Sequence, residues 1–367
     1  MQVFKRTTLP HSRKSVLNIR LANTSDEEAW DSVIEQFAGA SPYCLFAWKK
    51  TVERAYGFSC PYLLAEDDKS TLLGVLPLVH LKPPFRQGIL VSLPYCDAGG
   101  VWAENPEATK GLLEKASALA RELQVNNIEL RLPTRPEDHD DLTPLTTNKV
   151  RMLLPLPENT EVLMTGFKAK LRSQIKKPIK DGLTCQVGGG ELLDRFYTVF
   201  QEGMRDLGSP PHSKKWFDQI VSNFGKRARI SVVSMPNGEP AAAGVILCCG
   251  NSVTIPWAAS LRRHNHFNPN MLLYWNFLSF ATESGYRLFD FGRSTPSEGT
   301  YRFKEQWGAT PAPLFWATLK ETAEGLPPGR PSRLSAVLRP LLENLFQRLP
   351  IPISNLVGSR MRRYISL

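Results

Sequence analysis

The order of predicted elements repeats along the chain, and this repeat limits the fold more than any other feature. Asn105-Pro106 opens a predicted helix that the strand IELRL follows, and Asn268-Pro269 opens one that the strand LFDFG follows. Proline after an asparagine N-cap is a common helix start. A chain of 367 residues is also long enough for two domains. The sequence therefore predicts two related halves.

Segments rich in branched residues precede each of these helices. The strand candidates of the first half cover Tyr62 to Ala65, Leu72 to Leu81 and Ile89 to Leu93. Those of the second half cover Arg229 to Met235, Ala241 to Cys249 and Ser252 to Ala259. Turn residues separate the second set, so an antiparallel meander is the simplest arrangement for it.

The chain divides at two boundaries. The polar, proline-bearing stretch PTRPEDHDDLTPLTTN separates a first half at residues 1–150 from a second half at residues 151–320. Residues 321–367 form a basic tail with a leucine-rich helical stripe from Leu334 to Leu349, which Pro340 interrupts. Such a stripe packs on a protein core or, less often, lies on an anionic membrane surface. Peripheral membrane contact through this tail therefore stays an alternative.

A predicted basic helix from Thr160 to Lys176 opens the second half, and Pro178 should end or kink it at Lys177. Basic side chains surround its apolar stripe: Lys168, Lys170, Arg172, Lys176, Lys177 and Lys180. Phosphates of a tRNA, a nucleotide sugar or a lipid carrier would suit this face. A merely solvated helix face has the same pattern.

Charge and cysteine usage narrow the class of protein. Lys and Arg number 45 against 35 Asp and Glu, a formal charge of +10, which favours anionic partners. The six cysteines show no metal-ligand spacing and are expected to be reduced, buried thiols. His264 and His266 lack a third ligand, so no metal is expected. Without a secretory signal or a membrane-spanning run, we expect a cytoplasmic protein, at most peripheral at the inner face of the membrane.

The most specific segment is residues 268–316, NPNMLLYWNFLSFATESGYRLFDFGRSTPSEGTYRFKEQWGATPAPLFW. Its helix after NPN, its strand ending in DFGRS, its turn with EGTYRFK and its QWGA come in the order of the FemAB family. The segment resembles that family and the GNAT-like acyltransferases associated with exopolysaccharide and exosortase (PEP-CTERM) systems. The basic stretch FKAKLRSQIKKPIKDG resembles the family's Arg- and Lys-rich segment.

The resemblance implies an α/β (α+β) fold of tandem GNAT-like domains with mixed central sheets. It implies an acyl- or aminoacyl-transferase that forms an amide, or an ester, on a peptidoglycan, polysaccharide or other cell-envelope precursor. The co-substrate would be a phosphate-containing donor, aminoacyl-tRNA or acyl-coenzyme A, with no tightly bound cofactor, and the acceptor would be sugar- or lipid-linked. The stretch HNHFNPN stands where ordinary acetyltransferases have a Gly-rich pyrophosphate loop, and this counts against coenzyme A.

Two alternatives stay open. One is a coenzyme A-dependent polysaccharide acetyltransferase. The other is a non-catalytic scaffold of a polysaccharide-assembly or export system. A nucleic-acid-binding module would rest on charge alone.

Three residues of the family segment are the catalytic candidates. Lys304 resembles the family lysine at the acyl site, where a cation stabilises the oxyanion. Arg293 could clamp a phosphate or carboxylate, or form a salt bridge to Asp290 or Glu298. Tyr301 could donate a hydrogen bond to the acceptor or simply pack in its turn.

The remaining candidates would bind substrate. Asn268 and Asn270 begin a helix, where a donor phosphate could dock, although plain N-caps need no ligand. Lys170, Arg172, Lys176 and Lys177 would hold phosphates. Asp290 is a further substrate-binding candidate. Asp290, Glu298 and Glu305 are the nearest carboxylates that could act as a base, but no general base can be named among them.

Overall fold

The structure, a computed structural model, describes residues 17–37, 39–84, 87–125, 127–132, 142–145, 147–319 and 343–366. The elements of the first half are β1 (Asn18–Leu21), α1 (Glu27–Gln36), α2 (Phe46–Tyr56), β2 (Leu63–Glu66), β3 (Leu72–Leu76), β4 (Val79–Leu81), β5 (Ile89–Ser92), β6 (Trp102–Ala103), α3 (Pro106–Glu122), β7 (Ile128–Leu132) and β8 (Leu142–Leu145). The predicted helix and the IELRL strand are confirmed as α3 and β7. Asn105 caps α3, because its side chain accepts a hydrogen bond from the backbone N–H of Ala108.

The second half and the tail hold the remaining elements. They are β9 (Val150–Pro155), α4 (Thr160–Gly166), α5 (Ala169–Lys180), β10 (Thr184–Gly188), α6 (Leu193–Asp206), α7 (Lys214–Phe224), β11 (Ala228–Ser234), β12 (Pro240–Cys249), β13 (Ser252–Ser260), α8 (Pro269–Glu283), β14 (Leu288–Ser294), α9 (Gly299–Glu305), β15 (Thr310–Pro313), β16 (Phe315–Leu319) and α10 (Ile351–Arg362). Strands β11, β12 and β13 form the predicted antiparallel meander.

Two sequence predictions about element boundaries were wrong. The stretch Leu72 to Leu81 is not one strand but two, β3 and β4, which lie in different sheets. Pro77 separates them, and proline cannot donate a hydrogen bond to a strand ladder. The helix predicted from Thr160 to Lys176 is also two, α4 and α5.

The break between α4 and α5 and the course of α5 have local causes. Gly166 weakens the end of α4, and Phe167 then takes an extended backbone while its ring packs edge-on against Trp307 at 5.5 Å between ring centroids. Pro178 does not stop α5, which continues to Lys180. Because Pro178 lies in the last turn, it removes one hydrogen bond near the helix end, where the cost is small.

The described strands form three sheets, and one of these sheets contains strands from both halves. The orders are β1-β2-β3-β6, then β4-β5-β7-β16-β8, and then β10-β11-β12-β13-β14-β9-β15. Strand β16 follows all strands of the second half, yet it pairs with β7 and β8 of the first half. Strand β9 pairs with β14 and β15. The predicted domain boundary near residue 150 stays a prediction, because β16 lies after it in the sequence but joins the sheet of the first half.

An aromatic core joins the two halves. Trp48 of α2 packs edge-on against Trp216 of α7 at 5.3 Å and stacks on Trp257 of β13 at 6.3 Å between ring centroids. All three side chains are buried. Burial of such large apolar surfaces is strongly stabilising, so neither half is expected to be stable without the other.

The described part of the tail packs on the protein. A Cβ placed on Gly358 of α10 would lie 2.5 Å from the Cδ of Pro211, so the helix lies close to the chain between α6 and α7. Phe346 is buried, whereas the predicted stripe from Leu334 to Leu342 falls outside the described residues. Among the described residues, no helix has the length and apolar character needed to cross a membrane.

Candidate functional site

A break in the seven-stranded sheet creates the candidate site. Strands β13 and β14 are parallel, and they pair only between Ser252–Thr254 and Leu288–Asp290. Beyond Asp290 the register of β14 shifts, and Gly292 has a φ of +72°, which glycine adopts without strain. The parallel ladder therefore ends at Asp290 and leaves a gap at the carboxyl ends of the two strands.

A buried ion pair fixes the backbone at this bulge. The Nε and Nη2 groups of Arg151 donate to Oδ2 of Asp290 at 2.9 and 2.7 Å. The other carboxylate oxygen of Asp290 accepts a hydrogen bond from the backbone N–H of Gly292 at 2.8 Å. The side chains of Arg151 and Asp290 are 9% and 4% exposed. Asp290 thus holds β9 against β14 and shapes the turn at Gly292.

The first half contributes an acid to the same place. The backbone N–H of Arg293 donates to Oδ2 of Asp97 at 3.0 Å, and its Nε lies 3.5 Å from Oδ1. The indole N–H of Trp316 donates to the carbonyl of Asp97 at 3.1 Å. The alternative that Arg293 pairs with Asp290 or Glu298 is wrong, because Asp97 is its partner.

Lys304 lies at the centre of the site, and it lies on helix α9 rather than in a turn. Its Nζ donates to the carbonyls of Arg293 at 2.8 Å and of Gly292 at 3.1 Å. The residue is 8% exposed, and burial lowers the pKa of its ammonium from 10.5 to about 8. Asp97 and Asp290 act in the opposite direction on this pKa, and Arg293 lowers it further.

We call Asp97, Arg151, Asp290, Arg293 and Lys304 the seam cluster. Its three cations and two carboxylates leave one positive charge in excess. Arg293 is the member nearest to solvent, with its side chain 33% exposed. Within the part of the chain that the structure describes, the terminal Nη groups of Arg293 make no hydrogen bond. They could therefore bind a phosphate or carboxylate at the mouth of the gap.

Of the two tyrosines Tyr301 and Tyr43, Tyr43 lies close to the charges of the seam cluster. Tyr301 is half-buried on α9 and packs with the core of the second half. Tyr43 is buried, and burial raises the pKa of its hydroxyl, with the charges of Asp97, Asp290 and Arg151 as further influences. No local sequence pattern pointed to Tyr43, Asp97 or Arg151, which come from three separate segments.

The basic residues of α5 lie on a different surface. Arg172, Lys176 and Lys177 line a hollow of about 460 Å³ together with Ser173, Lys180 and Asp181. Lys177 pairs with Asp181 at 2.5 Å, and Arg172 donates to the carbonyl of Phe167 at 2.5 Å. Lys170 is exposed and does not line this hollow. The predicted basic face is therefore present, and it is separate from the seam cluster.

A second hollow of about 440 Å³ lies beside the start of α5 and the end of α9. Its walls include Phe167 and Lys168 before α5, and Glu305 and Trp307 after Lys304. None of the seam cluster lines it.

Asn268, at the end of the connection from β13 to α8, does not cap α8 with its side chain. A 3-10 helix, Arg262–Phe267, occupies this connection, and Asn268 follows with a left-handed backbone and no side-chain hydrogen bond to the helix. Asn270 donates to the hydroxyl of Ser260 at 3.0 Å. His264 lies 3.3 Å from a carboxylate oxygen of Glu239. Within the described residues, no hydrogen bond joins Asn268 or Asn270 to the seam cluster.

Comparison with known proteins identifies the architecture. A family model described as "Acetyltransferase (GNAT) domain" matches residues 166–305. Among solved structures, FemX is similar at 15% identity, with 83% of this chain and 98% of that chain covered and a TM-score of 0.64. The C-terminal domain of a putative lysylphosphatidylglycerol synthetase from Agrobacterium fabrum is similar at 13% identity, over 86% of this chain and 97% of that one, with a TM-score of 0.57.

A tandem GNAT protein from the clavulanic acid biosynthesis pathway is similar at 12% identity, over 83% of this chain and 98% of that one, with a TM-score of 0.51. No curated protein matches this chain by sequence. The predicted fold of two GNAT-like halves is confirmed.

The first prediction concerns the buried ion pair. Arg151→Met should lower the free energy of unfolding by about 3–5 kcal/mol, because it leaves a buried carboxylate unpaired. Arg151→Met combined with Asp290→Asn should recover part of this loss, since asparagine is neutral and still accepts from Gly292. Urea unfolding measures both. As a control, Lys110→Met removes an exposed pair with Glu114 and should cost less than about 1 kcal/mol.

The second prediction concerns the pH dependence of stability. Below pH 8 the folded protein carries the full cost of the buried Lys304 charge; between pH 8 and 10.5 the folded state loses this proton while the unfolded state keeps it. The free energy of unfolding, relative to that of Lys304→Met, should therefore rise by about 3 kcal/mol over this range. A difference that is constant with pH would contradict the lowered pKa.

Proposed function

We propose that this protein transfers an aminoacyl or acyl group to an amine or hydroxyl of a cell-envelope precursor. The observation that carries the proposal is the buried Lys304 at the gap between β13 and β14, with the partly exposed Arg293 beside it. Support comes from the match of residues 166–305 to a GNAT acetyltransferase domain and from the fold shared with FemX and the lysylphosphatidylglycerol synthetase domain.

The chemistry needs few groups. The acceptor amine attacks the donor carbonyl, the ester or thioester bond breaks, and the departing alkoxide or thiolate takes up the proton that the amine loses. Two hydrogens of the Lys304 ammonium are held by the carbonyls of Gly292 and Arg293, so the third is available to the oxyanion that forms at the carbonyl. Because burial lowers the pKa of Lys304 to about 8, the ammonium is still the main form at neutral pH.

Positioning would supply much of the remaining rate enhancement. Arg293 would hold a phosphate or carboxylate of one substrate at the mouth of the gap, and Tyr301 would contact the acceptor. The basic face of α5 would bind further phosphates of a long anionic donor such as tRNA. In this proposal Asp290 acts through the backbone that it shapes. No group is assigned as general base.

Aminoacyl-tRNA is the donor we favour. The connection from β13 to α8 holds a 3-10 helix and Pro269 rather than a Gly-rich loop whose N–H groups could receive a pyrophosphate. The basic face of α5 adds a second positive surface apart from the seam cluster, which would suit a long anion such as tRNA better than coenzyme A. Both donors are made in the cytoplasm, and we place the reaction there. A link to exopolysaccharide or exosortase systems rests on sequence resemblance alone.

A coenzyme A-dependent acetyltransferase is the second candidate. The end of the parallel ladder between β13 and β14 favours it, because a thioester arm could enter the same gap. A thermal-shift assay separates the candidates, because only a ligand that binds the folded state raises the melting temperature. A rise with coenzyme A and none with tRNA would select this alternative.

The third prediction tests catalysis directly. Purified protein is offered aminoacyl-tRNA, acetyl-coenzyme A and a longer acyl-coenzyme A with a mixture of nucleotide-sugar and lipid-linked acceptors, and mass spectrometry detects the modified acceptor. Lys304→Ala should lower the turnover by about 100-fold or more, the usual effect of losing an oxyanion stabiliser. Arg302→Ala, an exposed cation on the same helix, should retain turnover.

The outcomes of this test are distinct. Equal loss in Lys304→Ala and Arg302→Ala would indicate a general charge effect and contradict the role of Lys304. No mass gain with any donor, in a protein that still binds an assembly partner, would favour a non-catalytic scaffold.

A further inference from the structure

The exposed apolar side chains of the protein are concentrated in its tail. Among the described residues, ten large hydrophobic side chains are exposed, and five of these fall within residues 345–361. They are Leu345 at 57%, Ile353 at 47%, Leu356 at 56%, Val357 at 40% and Met361 at 42%. Single exposed hydrophobic residues are ordinary on protein surfaces, but a concentration of them indicates an interaction surface.

Helix α10 presents four of these side chains on one face, and Leu345 precedes the helix. Ser354 and Gly358 are buried toward the protein, four residues apart. Ile353, Leu356 and Val357 are exposed, at the spacing of three and four residues that places side chains on a common helix face. Packing on the protein therefore fixes the direction in which this apolar face points.

Leu207 extends the apolar surface beyond the tail. It is 63% exposed at the end of α6. The next residue, Gly208, lies against the tail, because a Cβ placed on it would be 2.7 Å from the carbonyl oxygen of Glu343. We call Leu207, Leu345, Ile353, Leu356, Val357 and Met361 the tail surface.

The charges around the tail surface are mostly positive. Arg348 and Arg360 are exposed on the tail, and Arg262 donates to the carbonyl of Asp206, next to Leu207. Residues 343–366 hold one acid, Glu343, and two further arginines that face the protein: Arg362 lies over the ring of Tyr95, and Arg363 donates to the carbonyl of Tyr56. Two copies of a surface with this charge would repel each other, whereas anionic lipid headgroups would complement it.

We propose that the tail surface docks on the anionic face of a lipid bilayer. Its aliphatic side chains would enter the boundary between headgroups and acyl chains while the arginines contact phosphates. The protein would lie on the membrane without crossing it. Docking does not depend on the transferase proposal, but it would bring the seam cluster to lipid-linked acceptors.

The fourth prediction is made on the full-length protein with lipid vesicles, in a flotation assay without any activity measurement. The protein should float with vesicles of phosphatidylcholine and phosphatidylglycerol, float less in high salt, and stay behind with phosphatidylcholine alone. Leu356→Asp with Val357→Asp should weaken the binding by about tenfold or more. Leu21→Asp, a matched exposed position in β1 at 50% exposure, should leave it unchanged.

Circular dichroism and the thermal midpoint show whether each variant is folded, since both altered tail positions point away from the packed side of α10. Failure of the wild type to float with anionic vesicles would overturn the proposal. So would equal flotation of the wild type and the doubly substituted variant. A dimer in light scattering that the double substitution dissociates would also overturn it, because the occupant would then be a second copy of the chain.

Discussion

The candidate site depends on the buried ion pair between Arg151 and Asp290. A buried charge without a partner is strongly destabilising. The pair therefore holds β9 beside β14 in one register. Asp290 also holds the N–H of Gly292, which adopts a left-handed backbone at the bulge. The carbonyls of Gly292 and Arg293 are thereby aimed at the Nζ of Lys304. The position of the lysine is thus set by an interaction that contains neither the lysine nor a substrate.

The site also requires both halves of the chain. Asp97 comes from the loop after β5 and accepts a hydrogen bond from the backbone N–H of Arg293 in β14. Trp316, on the strand that pairs with the first half, donates a hydrogen bond to the carbonyl of Asp97. The aromatic core of Trp48 and Trp257 keeps the same halves in contact. The gap between β13 and β14 lies in the second half, but its electrostatic environment is completed by the first.

Local patterns in the sequence predicted the parts of this structure that depend on neighbours along the chain. Helices α3 and α8 and the β11–β13 meander follow from Asn-Pro helix starts, apolar periodicity and turn residues, although only Asn105 caps its helix with its side chain. Asp97 and Arg151 could not be found in this way, because their partners lie 196 and 139 residues away. The turn around Lys304, which was expected from the family resemblance, is instead the helix α9, whose half-buried Tyr301 and Phe303 pack onto the core.

Lys304 has a structural role, because its two hydrogen bonds join α9 to the bulge of β14, and the proposed catalytic role would come in addition to it. Its position would suit an apolar side chain of similar length, since the surrounding residues are largely buried and its pKa is lowered by burial. The carbonyls of Gly292 and Arg293 that accept its hydrogen bonds lie at the bulge. Water could donate hydrogen bonds to them instead if the gap were open. Within the described residues, no carboxylate forms a direct salt bridge to the ammonium. In the proposed function, the third N–H of this buried cation would be donated to an anionic or developing-negative group that enters the gap, and a reacting carbonyl is such a group.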